Sequence, residues 1–107
     1  MDDLETKVER ELVIGGVYRN VKGFTYIALG LYSVQKAAQE HQIVKTPFGV
    51  AIASSALSIG EAVVYCSTLN REARYVRGLD NFLAIIGDFD EGTMYYRFEL
   101  LSDGQQN

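Results

Sequence analysis

Six residues carry the side-chain types best suited to recognising a planar anion: Tyr18, Arg19, Lys22, Tyr65, Tyr75 and Arg77. Tyrosine rings stack on a flat heterocycle, while an arginine fork or a lysine ammonium contacts phosphate. A nucleotide combines both features. On a regular strand Tyr75 and Arg77 project to the same face, because side chains alternate with a period of two. The competing reading is plain packing. The rings would then lie in a core with their hydroxyls satisfied at its rim, and the cations would pair with carboxylates. Lys22 has a simple role in either case, as a solvated turn residue before Gly23, a position suited to φ > 0.

Other constellations offer less chemistry. Ser33-Val34-Gln35-Lys36 matches the SxxK pattern of serine acyl enzymes, but the chain is too short for that fold and lacks the accompanying motifs. Cys66 and His41 are the sole members of their types. Cys66 lies in an apolar run, which fits an inert buried thiol better than a nucleophile. Asp88, Asp90 and Glu91 make an acidic turn in which Gly92 falls one place early for a calcium loop. The chain has no Cys/His set for zinc, no phosphate loop and no dinucleotide fingerprint. No catalytic residue, metal ligand or cofactor is therefore assigned.

Composition narrows the class. A length of 107 residues suits one domain with one core. Apolar residues at 48% and charged residues at 22% are ordinary for a globular protein. A net charge of −4 argues against gripping a nucleic-acid backbone, which needs excess Lys and Arg. A single Cys excludes an internal disulfide and fits a reducing compartment. The acidic start has no apolar signal region, and no apolar run approaches the roughly 18 residues of a membrane span. A cytoplasmic protein is expected.

The elements that must hold the six residues read as follows. Residues 2–11 suggest a short helix with Asp2 and Asp3 at its start and Leu4, Val8 and Leu12 on one stripe. Residues 13–19 and 24–31 read as a hairpin across Asn20-Val21-Lys22-Gly23, with a bend or bulge at Gly15-Gly16. Residues 33–41 have helical composition, with Ser33 as a cap. Thr46-Pro47-Phe48-Gly49 is a turn. Residues 50–59 are apolar and small, and periodicity leaves helix and strand open. Residues 61–67 and 73–77 are strands joined by 69–72, and Leu79 to Leu83 is one helical turn. Residues 84–89 and 94–101 form a last hairpin across Asp90-Glu91-Gly92. In its second strand Tyr96, Phe98 and Leu100 share one face, with Tyr95, Arg97, Glu99 and Leu101 on the other. Residues 102–107 read as a frayed tail. Five or six short strands without βαβ alternation predict a small, bent antiparallel barrel or roll, with 33–60 as an insertion.

Several blocks resemble a family of small bacterial and phage domains of unknown function recognised by a YRHYKG-type motif. Tyr18-Arg19-Asn20-Val21-Lys22-Gly23, with Tyr26 and Leu29-Gly30, is similar to its opening. Val63-Val64-Tyr65 resembles its VVY strand, Tyr75-Val76-Arg77-Gly78-Leu79 through Phe82 its WVRPLxxF segment, and Arg97-Phe98 its closing RF. The resemblance covers most of residues 15–101 and implies an SH3-like β-barrel with no established activity. The family's HY pair is Asn20-Val21 here, its Trp is Tyr75 and its Pro is Gly78. Its short His-Ser-Glu-Thr loop is replaced by 33–60, so any chemistry of that His and Glu is lost.

The first functional expectation is a non-catalytic module for a small anionic, nucleotide-like ligand at the Tyr/Arg set, marked by a pocket at Tyr18, Tyr75 and Arg77. The second is a protein-interaction inhibitor of a host factor, phage-encoded or bacterial, marked by an exposed apolar patch on 43–59. An enzyme of unrecognised type is the third. A homodimer or higher oligomer fits either of the first two.

Overall fold

The computed structural model describes residues 4–6, 10–88 and 91–104. The chain is mainly β, with antiparallel pairing dominant. Ten strands and one short helix follow in order: β1 (Leu4–Thr6), β2 (Val17–Asn20), β3 (Thr25–Val34), β4 (Ile43–Thr46), β5 (Gly49–Ala53), β6 (Gly60–Ser67), β7 (Arg74–Gly78), α1 (Leu79–Leu83), β8 (Ile85–Asp88), β9 (Thr93–Tyr96) and β10 (Phe98–Ser102). The large sheet has seven strands in the order β10-β2-β3-β6-β7-β5-β4, and a second sheet of three has the order β1-β8-β9. The large sheet is open, with β10 and β4 at its two ends. Among the described residues, β5 and β7 are the one parallel pair. No helix among the described residues is long and apolar enough to cross a membrane.

The β2–β3 hairpin forms where turn chemistry predicts it. Gly23 takes φ 94°, and Asn20 Oδ1 accepts the N–H groups of Lys22 and Phe24 at 3.1 and 2.9 Å. β3 is long and pairs with β6 from Tyr26–Ser67 to Val34–Gly60, with a register shift between Ala28 and Gly30. The shift bends the sheet at its centre.

Both faces of that sheet bury apolar side chains. One carries Tyr18, Ala28, Val63, Tyr65, Phe82, Leu83 and Phe98, with Tyr26 and Tyr75 against them. The other carries Val34, Ala51, Ala53, Leu57, Ala62, Val64 and Val76, with Phe48 and Val44 at its border. Phe48 sits at the tip of the β4–β5 hairpin and lies directly over Gly30 of β3, where any Cβ would overlap its ring. The insertion therefore folds back as the cover of a second core.

Several segments depart from the elements expected of them or settle a reading left open. Residues 33–41 are not a helix: Ser33 and Val34 finish β3, and Ala38 forms an isolated bridge with Leu57. Two backbone bonds, Ala38 N–H to Leu57 O at 3.1 Å and Leu57 N–H to Ala38 O at 2.8 Å, outweigh a helix whose apolar stripe is only Val34 and Ala38. The 50–59 segment resolves into β5 followed by irregular chain. The helix expected at 2–11 does not form where the chain is described: Leu4–Thr6 is a strand on the edge of β8, which supplies the backbone partners Ile85 to Gly87. The rest of that helix, residues 2, 3 and 7–9, lies outside the described residues. The tail expected at 102–107 begins later, because Ser102 closes β10; residues 105–107 lie outside the described residues.

The last predicted strand is divided. β9 pairs with β8 in the small sheet, whereas β10 pairs with β2 in the large one. Arg97 marks the crossing, its N–H bonded to Ala84 O at 3.0 Å. Tyr96 and Phe98 thus share no face: Phe98 is buried and Tyr96 is 44% exposed.

The β8–β9 crossing depends on Gly87. Its φ is 156°, and a Cβ there would meet Thr93 O at 1.8 Å, which is backbone and has nowhere to go. Gly87→Ala is expected to lower stability by more than about 1 kcal/mol, read as a lower urea midpoint. An unchanged midpoint would show that this hairpin is not held by the close approach.

Candidate functional site

The structure separates the six expected residues into two places. β6 and β7 set Tyr65 opposite Tyr75, and Val63 opposite Arg77, on one face. Tyr18 reaches the same cluster from β2. Tyr18 and Tyr65 are 1% and 2% exposed, with their rings against Phe82 at centroid distances of 5.1 and 5.3 Å. Their hydroxyls are satisfied internally: Val13 N–H donates to Tyr18 Oη at 2.9 Å, and Tyr65 Oη and Ser54 Oγ share a bond of 2.6 Å.

Arg77 is used inside the same cluster. Its Nη1 donates to Asn81 Oδ1 at 2.6 Å, its Nη2 to Ser54 O at 3.1 Å and its Nε to Ser54 Oγ at 3.1 Å. The guanidinium also lies 5.5 Å from the Phe98 ring centre. Thus Tyr18, Tyr65, Tyr75 and Arg77 meet as packed scaffold, and they line neither of the two cavities described below. Lys22 stands apart, exposed in the β2–β3 turn.

Arg19 is in the second place. Neighbouring residues on a strand face opposite sides, so the residue after buried Tyr18 points outward. Arg19 lines an open groove of about 730 Å³ between the two sheets, together with Asn20, Met94, Tyr95, Tyr96 and Glu99. Its Nη2 donates to Glu99 Oε1 at 2.6 Å, across the registered β2–β10 pair, with both side chains about half exposed. Tyr96 is fixed from behind: the Arg10 guanidinium sits 4.0 Å over its ring and donates to Leu83 O at 3.0 Å and Phe98 O at 2.9 Å. A smaller cavity of about 510 Å³, between residues 56–61 and the start of α1, includes the carboxylates Glu61 and Asp80.

The groove can stack a flat ligand against tyrosine and offer it both a guanidinium and a carboxylate. Of the residues that line the groove, the sequence singled out Arg19 as a candidate and did not single out Tyr95, Tyr96, Met94, Asn20 or Glu99. The available signal was the Tyr95-Tyr96 pair, since consecutive rings on one strand cannot both face one core. No group of three or more His, Cys, Asp or Glu that could hold a metal occurs among the described residues. Cys66 is a buried free thiol in β6.

No family model, curated protein or solved structure matches the chain. The similarity to YRHYKG-type domains rests on the sequence blocks alone.

Tyr26 is the centre of the aromatic cluster, edge-on to Tyr65, Tyr75 and Phe98 at 5.2, 5.9 and 5.9 Å. Burial raises its phenol above the ordinary 10.0, the neighbouring Tyr65 and Tyr75 phenols raise it further, and Arg77 pulls it back. The unfolded chain then releases this proton at lower pH than the folded one. Its contribution is complete below about pH 10 and is lost as pH rises through the folded value. Melting temperatures measured between about pH 8 and pH 11 should fall less steeply for Tyr26→Phe than for the parent. Parallel curves would assign the alkaline loss to other groups.

The two arginines should also differ. Arg77→Ala removes the bonds of its guanidinium to Asn81 Oδ1, Ser54 O and Ser54 Oγ and is expected to cost about 2 kcal/mol. Arg19→Ala removes one exposed ion pair and should cost less than about 1 kcal/mol. Equal losses in denaturant titrations would contradict the division between scaffold and groove.

Proposed function

We propose that this protein is a non-catalytic binding module whose inter-sheet groove takes a small, planar, nucleotide-like ligand. The carrying observation is the groove: about 730 Å³, with the half-exposed Tyr96 beside Arg19. That volume lies within the roughly 300–1,000 Å³ of small-molecule sites. Stacking on tyrosine tolerates any flat ring, and the guanidinium adds a directed donor fork. Membership of the YRHYKG-type domains, and with it an SH3-like barrel, is part of the same proposal and brings no activity with it. The unpaired thiol of Cys66 fits action in a reducing cytoplasm.

One observation favours a second reading, a protein-interaction inhibitor of a host factor. Ile43 and Ile52 are cross-strand neighbours on the β4–β5 hairpin, and both, with Val50, are exposed, at 68%, 43% and 56%. Such a patch at the end of an open sheet suits a protein partner.

A thermal-shift screen against mono-, di- and cyclic nucleotides tests the first reading. A ligand at about 100 times its dissociation constant adds roughly 2.7 kcal/mol, a rise of several degrees at this size. The expected result is a shift in the parent that disappears in Tyr96→Ala. A shift that survives Tyr96→Ala would place the ligand elsewhere. No shift with any nucleotide in a folded sample would transfer the case to the β4–β5 face.

A further inference from the structure

We infer that the groove recognises the hydrogen-bonding edge of a nucleobase through the Arg19–Glu99 pair, leaving the ligand's phosphate outside. This rests on the small-ligand reading of the same groove and specifies which part of the ligand is read. Glu99 and Arg19 are directly opposed in the β2–β10 register, so the pair is set by the backbone and not by chance approach of two long side chains. Their contact is single, Arg19 Nη2 to Glu99 Oε1. Among the described residues no further hydrogen bond reaches Arg19 Nε and Nη1 or Glu99 Oε2, so guanidinium N–H donors and a carboxylate oxygen stand side by side at the groove.

A phosphate offers only acceptors and would meet repulsion from Glu99. Adenine, cytosine and guanine each present a hydrogen-bond donor beside an acceptor on one planar edge, which matches the pair. The other polar side chain on this wall is already engaged: Asn20 Oδ1 accepts two backbone N–H groups, and its Nδ2 faces Tyr26 Oη at 3.4 Å. Tyr96, cross-strand neighbour of groove-lining Ile85, supplies the stacking surface, and Arg10 over its ring holds it in place.

The test is isothermal titration of the full chain and of Glu99→Gln and Tyr96→Ala with adenosine, cytidine, guanosine, their 5′-monophosphates and pyrophosphate. The inference expects at least one nucleoside to bind within a few-fold of its monophosphate and pyrophosphate to give no measurable heat. Glu99→Gln should weaken the nucleoside 10-fold or more while keeping the parent's melting temperature. Three results would overturn it and leave the small-ligand reading intact: monophosphates binding through Tyr96 while nucleosides do not, pyrophosphate binding alone, or Glu99→Gln binding as tightly as the parent. Absence of binding by every probe would overturn both.

Discussion

Phe98 is the residue on which the arrangement of both sheets depends. Its ring stacks on Phe82 of α1 at 4.1 Å and receives the edges of Tyr26 and Tyr65 at 5.9 and 5.4 Å. Burying a ring of this size is worth roughly 1.5–3 kcal/mol before any geometric gain. Phe98 belongs to a chain segment that has just left the small sheet. To place it in the core of the large sheet, the backbone must break its strand at Arg97 and restart as β10. β9 stays behind, paired to β8. The gap between the two sheets is the groove, so burial of Phe98 creates the cavity that its neighbours Tyr95 and Tyr96 line.

The same crossing is held by polar ties around α1. A five-residue helix is far below the length that is stable alone, and its carbonyls need partners. Arginines from two distant segments supply them, and one from the adjoining strand β7 braces the helix beside them. Arg97 Nε donates to Asn81 O at 3.0 Å, Arg10 to Leu83 O, and Arg77 to the Asn81 side chain. Arg10 also bonds Phe98 O, which joins the N-terminal segment, the helix end and the start of β10 at one guanidinium. Cations near an aromatic core are therefore evidence of unsatisfied carbonyls as readily as of an anionic ligand.

This explains which parts of the molecule could be read in the sequence. Local signals succeeded where the structure is local. Gly23 and Gly92 take φ of 94° and 70° in the turns expected of them, and Leu79 to Leu83 is the expected helical turn. Local signals failed where a partner far along the chain decides the outcome. Ala38 is drawn from helix to bridge by Leu57, Leu4–Thr6 is drawn to a strand by β8, and the alternation over 94–101 hides a change of sheet. The candidate site suffered from the same limit. Tyr75 and Arg77 do share a face, as their spacing requires, and the β6–β7 register adds Tyr65 to it, but that face is interior. The outward face next to buried Tyr18 begins with Arg19, and its aromatic partners come from a strand whose orientation only the break at Arg97 determines.

Scaffold and groove are consequently separable in energy. The aromatic cluster is largely buried, the Arg77 ties are partly buried, and both are mutually satisfied and costly to change. The Arg19–Glu99 pair is half exposed, and an isolated surface pair of that kind contributes less than about 1 kcal/mol to folding. Exposed tyrosine rings likewise return little of the free energy that core rings do. A single-contact ion pair beside the exposed Tyr96 ring, over a cavity of small-molecule size, is explained poorly as a stabilising device, and that mismatch is what motivates the proposal of a ligand surface whose Tyr96 ring is braced by Arg10.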